Sequence, residues 1–161
     1  IVAGGQTGVD RAALDVALAR GLACGGWCPG GRRAEDGPLD GRYPLSETPS
    51  PEYAQRTEWN VRDSEGTLIL HRGDRSGGTA QTIGIARRLG KPCCVLDLTT
   101  APQPSAVHAW VARHRITVLN VAGPRESRSP GIYASASRFL EQAFATTSDD
   151  RTQTPPVSDR S

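Results

Sequence analysis

Residues 4–8 are the first segment whose composition suits the binding of an anion. They read Gly-Gly-Gln-Thr-Gly and lie between a short apolar run and a predicted helix, with Arg11 on the first helical turn. Glycine lets backbone amides approach a ligand without a Cβ in the way, and the positive end of a helix dipole favours negative charge. A tight strand-to-helix turn needs the same glycines, so glycine alone leaves both interpretations open. The polar side chains favour binding, and the predicted binding residues are Gly5, Gln6, Thr7, Gly8 and Arg11.

A second segment, residues 77–82, repeats this arrangement after another predicted strand. It reads Gly-Gly-Thr-Ala-Gln-Thr, and Thr79 and Thr82 share the first turn of the helix that follows. Their hydroxyl groups, together with free backbone amides, could hold phosphate, molybdate or a similar oxyanion. The alternative is that Thr79 only caps the helix. We predict that the ligand is bound by Gly77, Gly78, Thr79 and Thr82.

Charged residues in the middle of the chain form a third candidate. Residues 29–37 read Pro-Gly-Gly-Arg-Arg-Ala-Glu-Asp-Gly. Arg32 could grip an anionic group, and Glu35 and Asp36 could orient hydroxyl or amine groups or act as acid and base. A solvated loop is the alternative for such a run of charges. We predict that Arg32 and Asp36 contact the organic part of a ligand, and that Asn60 on a later helix also contributes to binding.

The other candidate segments carry less information about chemistry. Residues 123–128 follow the last predicted strand and could close a pocket or form a surface turn. The three histidines are too scattered for a metal triad, the four cysteines form no paired CxxC motifs, and no serine lies in a GxSxG motif. We therefore predict no metal site and no catalytic residue. If the protein is an enzyme, the candidate catalytic carboxylates are Glu35, Asp36 and Glu58.

Length and composition limit the fold class and the kinds of partner. The chain has 161 residues, a formal net charge of +2 and 37% hydrophobic residues, which suits a single domain without a field that attracts nucleic acid. No apolar stretch approaches the roughly 20 residues of a membrane span. We expect a cytoplasmic protein that binds neither nucleic acid nor membrane. Residues 146–161 contain almost nothing apolar and predict a disordered tail after one anion-binding domain over residues 1–145.

Apolar runs and helically spaced apolar residues alternate along the chain. Strands are predicted at residues 1–3, 22–28, 66–70, 93–98 and 116–121, and helices at 9–20, 51–64, 79–89, 105–114 and 132–144. Residues 29–51 hold too many glycines, prolines and charges for a regular element. The alternation predicts a Rossmann-like, doubly wound α/β fold of about five mainly parallel strands with helices on both faces. Ligands of such sheets bind beyond the carboxyl ends of the strands, where the candidate loops lie.

Four ordered motifs resemble a known family. They read GGQTGVDRAALD at residues 4–15, PGGRRAEDG at 29–37, RTEWNVRDSEGTLIL at 56–70 and GGTAQT at 77–82. Together they resemble the molybdenum carrier family, which is similar to the molybdenum cofactor carrier proteins, over roughly residues 1–144. That family belongs to a wider Rossmann-like group with the LOG nucleotide phosphoribohydrolases and DNA-processing protein A.

The resemblance implies a homo-oligomeric α/β protein that holds molybdate or the pterin-type molybdenum cofactor across the strand ends. The LOG enzymes carry a PGGxGTxxE motif whose glutamate takes part in cleaving the N-glycosidic bond of a nucleoside monophosphate. Residues 76–82 are similar to the phosphate-cradling half of that motif, but Thr82 stands at the position of the glutamate. Our first hypothesis is therefore a non-catalytic carrier of a small anionic ligand. The alternatives are a LOG-type hydrolase with a carboxylate from elsewhere in the chain, and a nucleotide sensor.

Overall fold

Three parallel strands form the central sheet of the protein. The structure is a computed structural model and describes residues 1–145. Its strands are Trp27–Cys28 (β1), Arg33–Ala34 (β2), Gly37–Pro38 (β3), Ser46–Glu47 (β4), Gly66–His71 (β5), Cys93–Asp97 (β6) and Leu119–Ala122 (β7). Its helices are Val9–Ala19 (α1), Tyr53–Arg62 (α2), Gly78–Arg88 (α3), Pro104–His114 (α4) and Ile132–Ala143 (α5), with a 3₁₀ turn at Leu98–Thr100. The central sheet has the order β6–β5–β7, and both strand pairs are parallel.

Strand β5 lies in the middle of this sheet, and every one of its residues is buried. Its apolar run satisfies the condition for a parallel strand that helices cover. Leu68 and Leu70 join the larger hydrophobic core, to which α1, α4 and α5 contribute. A second, smaller cluster joins α2 and α3 through Val61, Ile85 and Ala86. The two helix groups therefore bury their apolar faces in separate cores.

The number of regular strands in the sheet is smaller than the sequence predicts. The mixed α/β fold with parallel strands is confirmed, but about five strands in one doubly wound sheet is more than the described sheets contain. Val2 makes only isolated parallel bridges, to Asn120 on one side and Gly25 on the other. The predicted strand at 22–28 is reduced to β1, because Gly26 adopts a φ of +127°, which side chains on a regular strand do not allow. Residues 1–3 and 25 thus continue the parallel pairing without forming regular strands.

The middle of the chain has more order than its composition predicts. Residues 29–51 contain the antiparallel pair β2–β3 and the strand β4, which pairs with β1 in parallel. Within the described range of 1–145, no helix is long and apolar enough to cross a membrane. The predicted tail, 146–161, lies outside the described residues.

Candidate functional site

A cavity of about 250 Å³ opens where β5 and β7 end. Its wall is built from the start of α3, the inner face of α2, and the loops that follow β5 and β7. Both predicted glycine-rich segments reach this cavity. The first supplies Gly4 and Gln6, and the second supplies Gly77, Gly78, Thr79 and Thr82. Segments that are about 70 residues apart in the chain therefore meet at the strand ends, as expected for ligand sites of parallel sheets.

The start of α3 presents free backbone amides to the cavity. Its N-cap is Gly77, at a φ of +63°, and no side chain caps the helix. A Cβ added at Gly77 or Gly78 would meet no atom within 4 Å, so both glycines face open space. Thr79 is buried and lines the cavity, whereas the Thr82 hydroxyl donates to the carbonyl of Gly78 at 2.8 Å. The first turn of an 11-residue helix therefore has the donors and the dipole that attract an anion.

Three arginines on the cavity wall are only weakly partnered. Arg72 reaches the carbonyl of Pro130 at 3.5 Å, and Arg125 lies 3.9 Å from a carboxylate oxygen of Glu35. Arg128 makes no side-chain hydrogen bond or ion pair within residues 1–145. Guanidinium groups suit bidentate contacts to oxyanions.

Sequence reasoning anticipated only part of this arginine group. Residues 123–128 were expected as a segment that could close a pocket, and Arg125 and Arg128 do line the cavity. Arg72 was missed, although it directly follows β5, and ligands of parallel sheets bind beyond the ends of the strands. Asp74 also lines the cavity, and its carboxylate offsets part of the positive charge of these arginines.

A buried ion pair forms another part of the cavity wall. Arg56 donates to the carbonyl of Gly4 at 2.8 Å and lies 3.4 Å from the carboxylate of Asp10. Asp10 also accepts from the backbone amide of Gln6 at 3.3 Å. Burial raises the pKa of Asp10, and the charge of Arg56 opposes that rise. Sequence reasoning missed this pair, although Asp10 is an acidic residue in the first turn of the helix after the glycines.

Asn60 lines the cavity, but both ends of its side-chain amide are hydrogen-bonded to the backbone. Its Oδ1 accepts from the amide of Trp27 at 2.8 Å, and its Nδ2 donates to the carbonyl of the same residue at 2.9 Å. These bonds attach α2 to β1. Its predicted role in ligand binding stays a prediction, because no amide atom of Asn60 is left without a partner.

Six of the twelve predicted binding residues lie outside the cavity, and three of these are packed against other parts of the chain. A Cβ on Gly5 would lie 2.7 Å from Leu39 and 2.8 Å from Leu45. One on Gly8 would lie 2.3 Å from the carbonyl oxygen of Pro124. Arg32 donates to four carbonyls of its own segment, those of Leu39, Asp40, Tyr43 and Leu45.

The remaining three, Thr7, Arg11 and Asp36, join α1 to neighbouring loops. Arg11 forms a two-pronged contact with Asp36, at 2.8 and 3.0 Å. Thr7 donates to Glu35, which also accepts from the hydroxyl of Ser127 at 2.5 Å. Burial alone would raise the pKa of Glu35, but the hydrogen bonds from Ser127 and Thr7 outweigh it and lower that pKa.

The carboxylates considered for catalysis do not line the cavity. Glu35 and Asp36 are held in the contacts just described, and Glu58 pairs with Arg88 at 3.3 Å on the surface. Among residues 1–145, no group of three His, Cys, Asp or Glu side chains is arranged to hold a metal ion. A second, more open depression contains Thr7, Gly8 and Arg11 together with two tyrosines.

Comparison with known proteins gives the family of this chain. Residues 1–144 match the circularly permutated YpsA SLOG family, cpYpsA. A crystal structure of a protein described as "Putative molybdenum carrier protein", from Syntrophus aciditrophicus SB, is 44% identical with a TM-score of 0.86, over 89% of this chain and 93% of that one. No curated protein matches the chain. The resemblance inferred from the four sequence motifs is thereby confirmed, and the chain belongs to the circularly permutated YpsA SLOG family.

Proposed function

We propose that this protein binds a small anionic ligand in the cavity and carries it without converting it. The observation that carries this proposal is the uncapped start of α3, whose glycines face open space beside Arg72, Arg125 and Arg128. An oxyanion held there would satisfy backbone amides and guanidinium groups together. The name of the 44% identical neighbour supports molybdate or the molybdenum cofactor as the cargo.

Two substitutions test the anion site. Thr79→Val removes a hydroxyl from the first turn of α3, and Arg128→Ala removes a guanidinium that nothing in the described chain engages. Each lost contact to a charged ligand is worth about 1.5–3 kcal/mol, so each variant should bind molybdate about 10- to 150-fold more weakly in calorimetry. Arg138→Ala, which removes an exposed charge on α5 away from the cavity, is the matched control. Unchanged affinity in both cavity variants would contradict the proposed site.

The cargo itself can be identified on protein purified from its own host. Native mass spectrometry with metal analysis reports the bound mass, the molybdenum content and the number of subunits in one experiment. We expect a molybdenum-containing adduct on a homo-oligomer.

A LOG-type hydrolase is the second candidate, and one observation favours it. Asp10 lines the cavity, is buried, and has a raised pKa, which are the properties of a carboxyl group suited to acid–base chemistry. Incubation with nucleoside monophosphates, followed by chromatography for the free base, separates enzyme from carrier. Turnover that Asp10→Asn abolishes would replace the carrier proposal, and nucleotide binding without turnover would favour the sensor.

A further inference from the structure

Strand β6 forms one edge of the central sheet. Within residues 1–145 it pairs with β5 alone. Every residue of β6 is only half-buried, whereas every residue of β5 is buried. Strands of a parallel sheet are normally covered on both faces, and an uncovered edge offers unpaired backbone groups to another strand. The edge of β6 is therefore the place where this sheet can be extended.

The register between β5 and β6 determines which backbone groups lie at this edge. Thr67 is opposite Cys93, and its amide donates to the carbonyl of Pro92 at 3.0 Å. In a parallel ladder, successive residues turn their amide and carbonyl alternately toward one neighbouring strand and away from it. Cys94 and Leu96 therefore turn theirs toward β5. The outward amides and carbonyls, which no strand of residues 1–145 pairs with, belong to Cys93, Val95 and Asp97.

These outward groups are symmetric about the central residue of the strand, Val95. A second β6 that runs antiparallel, with a two-fold axis at Val95, places Val95 opposite itself and Cys93 opposite Asp97 of the other copy. Two opposite residues of a hydrogen-bonded antiparallel pair exchange both of their N–H···O bonds. The Asp97 carbonyl also accepts from the hydroxyl of Thr100, at 2.8 Å, and a carbonyl has a second lone pair for the ladder. The edge is therefore complementary to itself over its whole length.

The strand lacks the features that usually prevent such pairing. Native edge strands are protected by lysine, by proline or by a bulge, whereas β6 reads Cys-Cys-Val-Leu-Asp and keeps an unbroken register with β5. The hydrophobic cores cover its apolar side chains only in part: Cys93 packs against the smaller core, and Cys94 and Leu96 pack against the larger one. A second strand at this edge would cover the rest of them.

Charge complementarity favours a second copy of the chain as the occupant of this edge. Arg87 is exposed on α3 and forms no ion pair within residues 1–145. Burial raises the pKa of the Cys93 thiol, and the nearby charge of Arg87 opposes that rise, so the guanidinium lies on the side of α3 that faces Cys93. In the antiparallel arrangement Cys93 is opposite Asp97 of the other copy. Arg87 of each copy therefore approaches a carboxylate of the other, and the two-fold axis repeats this contact.

We propose that β6 pairs antiparallel with β6 of a second copy of this chain, about a two-fold axis at Val95. The three-stranded sheets of the two copies then form one continuous sheet. An interface of this kind uses the same surface on both subunits and closes as a dimer. The cavity contains no residue of β6, so this surface is separate from the ligand site.

A proline at the axis tests the pairing. The Val95 amide points outward, so Val95→Pro removes a donor of the interface and leaves the bonds to β5 in place. Val95→Ala keeps that amide and is the matched control. In light scattering at micromolar concentration, the native protein and Val95→Ala should have the mass of two 17.1 kDa chains, or an even multiple of it, and Val95→Pro should have half the native mass. A monomeric native protein, or an unchanged mass in Val95→Pro, would overturn the proposal.

A substitution on the surface of α3 tests the same interface without touching the strand. Arg87→Glu places a second carboxylate beside Asp97 of the other copy, and like charges at an interface weaken association. The dissociation constant of the dimer, measured by sedimentation, should rise at least about 10-fold. Arg138→Glu makes the same change of charge at an exposed position of α5 and should leave the constant unchanged. Equal constants for Arg87→Glu and the native protein would overturn the proposed register.

Amide hydrogen exchange in the native protein tests the pairing directly. In the dimer, the outward amides of Cys93 and Val95 should exchange as slowly as those of Cys94 and Leu96, because both sets are then hydrogen-bonded. Fast exchange at Cys93 and Val95 alone would overturn the proposal. Slow exchange in a protein that scatters light as a monomer would also overturn it, because another segment of the same chain would then cover the edge.

Molybdate titrations separate this inference from the proposed function. Val95→Pro should bind molybdate as the native protein does, since the cavity draws nothing from β6. If neither protein binds an anion, the carrier proposal fails and the dimer interface stands. If the mass of Val95→Pro equals that of the native protein while both bind molybdate, the interface fails and the carrier proposal stands.

Discussion

The absence of a Cβ at Gly4 makes room for the guanidinium of Arg56. A Cβ there would lie 2.3 Å from the Nη1 of Arg56, which is closer than non-bonded atoms approach. Arg56 uses this space to bond the carbonyl of Gly4 and to neutralise Asp10. The lack of a side chain at Gly4 therefore leaves the space that Arg56 needs to pair with Asp10.

Gly4→Ala should lower the free energy of unfolding by about 1–3 kcal/mol, because the new methyl group displaces a buried and bonded side chain. Gly84→Ala is the matched control. Gly84 lies inside α3 with no atom within 4 Å of its added Cβ, so the change should stabilise the protein by about 0.5–1 kcal/mol. Urea unfolding of both variants checks the pair. Equal changes in the free energy of unfolding of the two variants would show that Arg56 moves aside without an energetic cost.

Asp15 connects three elements of the fold by its two carboxylate oxygens. The hydroxyl of Tyr43, from the middle of the chain, donates to one oxygen at 2.6 Å, and that of Tyr133, on α5, donates to the other at 2.6 Å. Arg42 lies 3.3 Å from the same carboxylate. Through these contacts α1 holds both α5 and the segment of residues 29–51 beside it.

This cluster predicts a loss of stability at high pH. Burial and the hydrogen bond to Asp15 raise the pKa of Tyr133 to about 12, against about 10 in an unfolded chain. Between these values the folded protein keeps a proton that the unfolded chain releases, so the free energy of unfolding falls as pH rises. In Tyr133→Phe this fall should be shallower. The midpoints of urea unfolding at about pH 9.5 and about pH 11.5 measure this fall in the native protein and in Tyr133→Phe, and Tyr53→Phe is the control. Parallel curves for Tyr133→Phe and the native protein would contradict the assignment.

The cavity lies where parts of the fold with two separate hydrophobic cores meet. Its wall includes residues of α2 and α3, which share the smaller core. It also includes the loop between β7 and α5, two elements that contribute to the larger core. A ligand that bridges them stabilises the folded state as a whole, because the unfolded chain has no such site.

Ligand at about one hundred times its Kd should therefore add about 2.7 kcal/mol to the free energy of unfolding. For a chain of this length that corresponds to a rise in Tm of about 5–10 °C. Differential scanning calorimetry with and without the ligand identified by titration measures the shift. The Arg128→Ala variant should shift less at the same ligand concentration. An equal shift in that variant would place the ligand elsewhere on the protein.

Local patterns in the chain were sufficient to predict several of the helices and strands, and they drew attention to the glycines at the start of α3. The helix predicted at 51–64 is observed as Tyr53–Arg62, and the strand at 66–70 as Gly66–His71, because helical spacing and a buried apolar run are properties of neighbouring residues. The uncapped glycines before α3 are equally local, and they were recognised from residues 77–82 alone.

Contacts between distant segments were decided only by the folded chain. Asp10 and Arg56 are 46 residues apart, and Thr7 and Glu35 are 28 apart, so no periodicity links them. The glycines of residues 4–8 read as an open anion loop. All three nevertheless pack against other parts of the chain, because α2, the segment of residues 29–51 and the loop after β7 fold over them. Which polar groups remain free for a ligand depends on which ones the rest of the protein has already bound, and that is settled by packing in three dimensions.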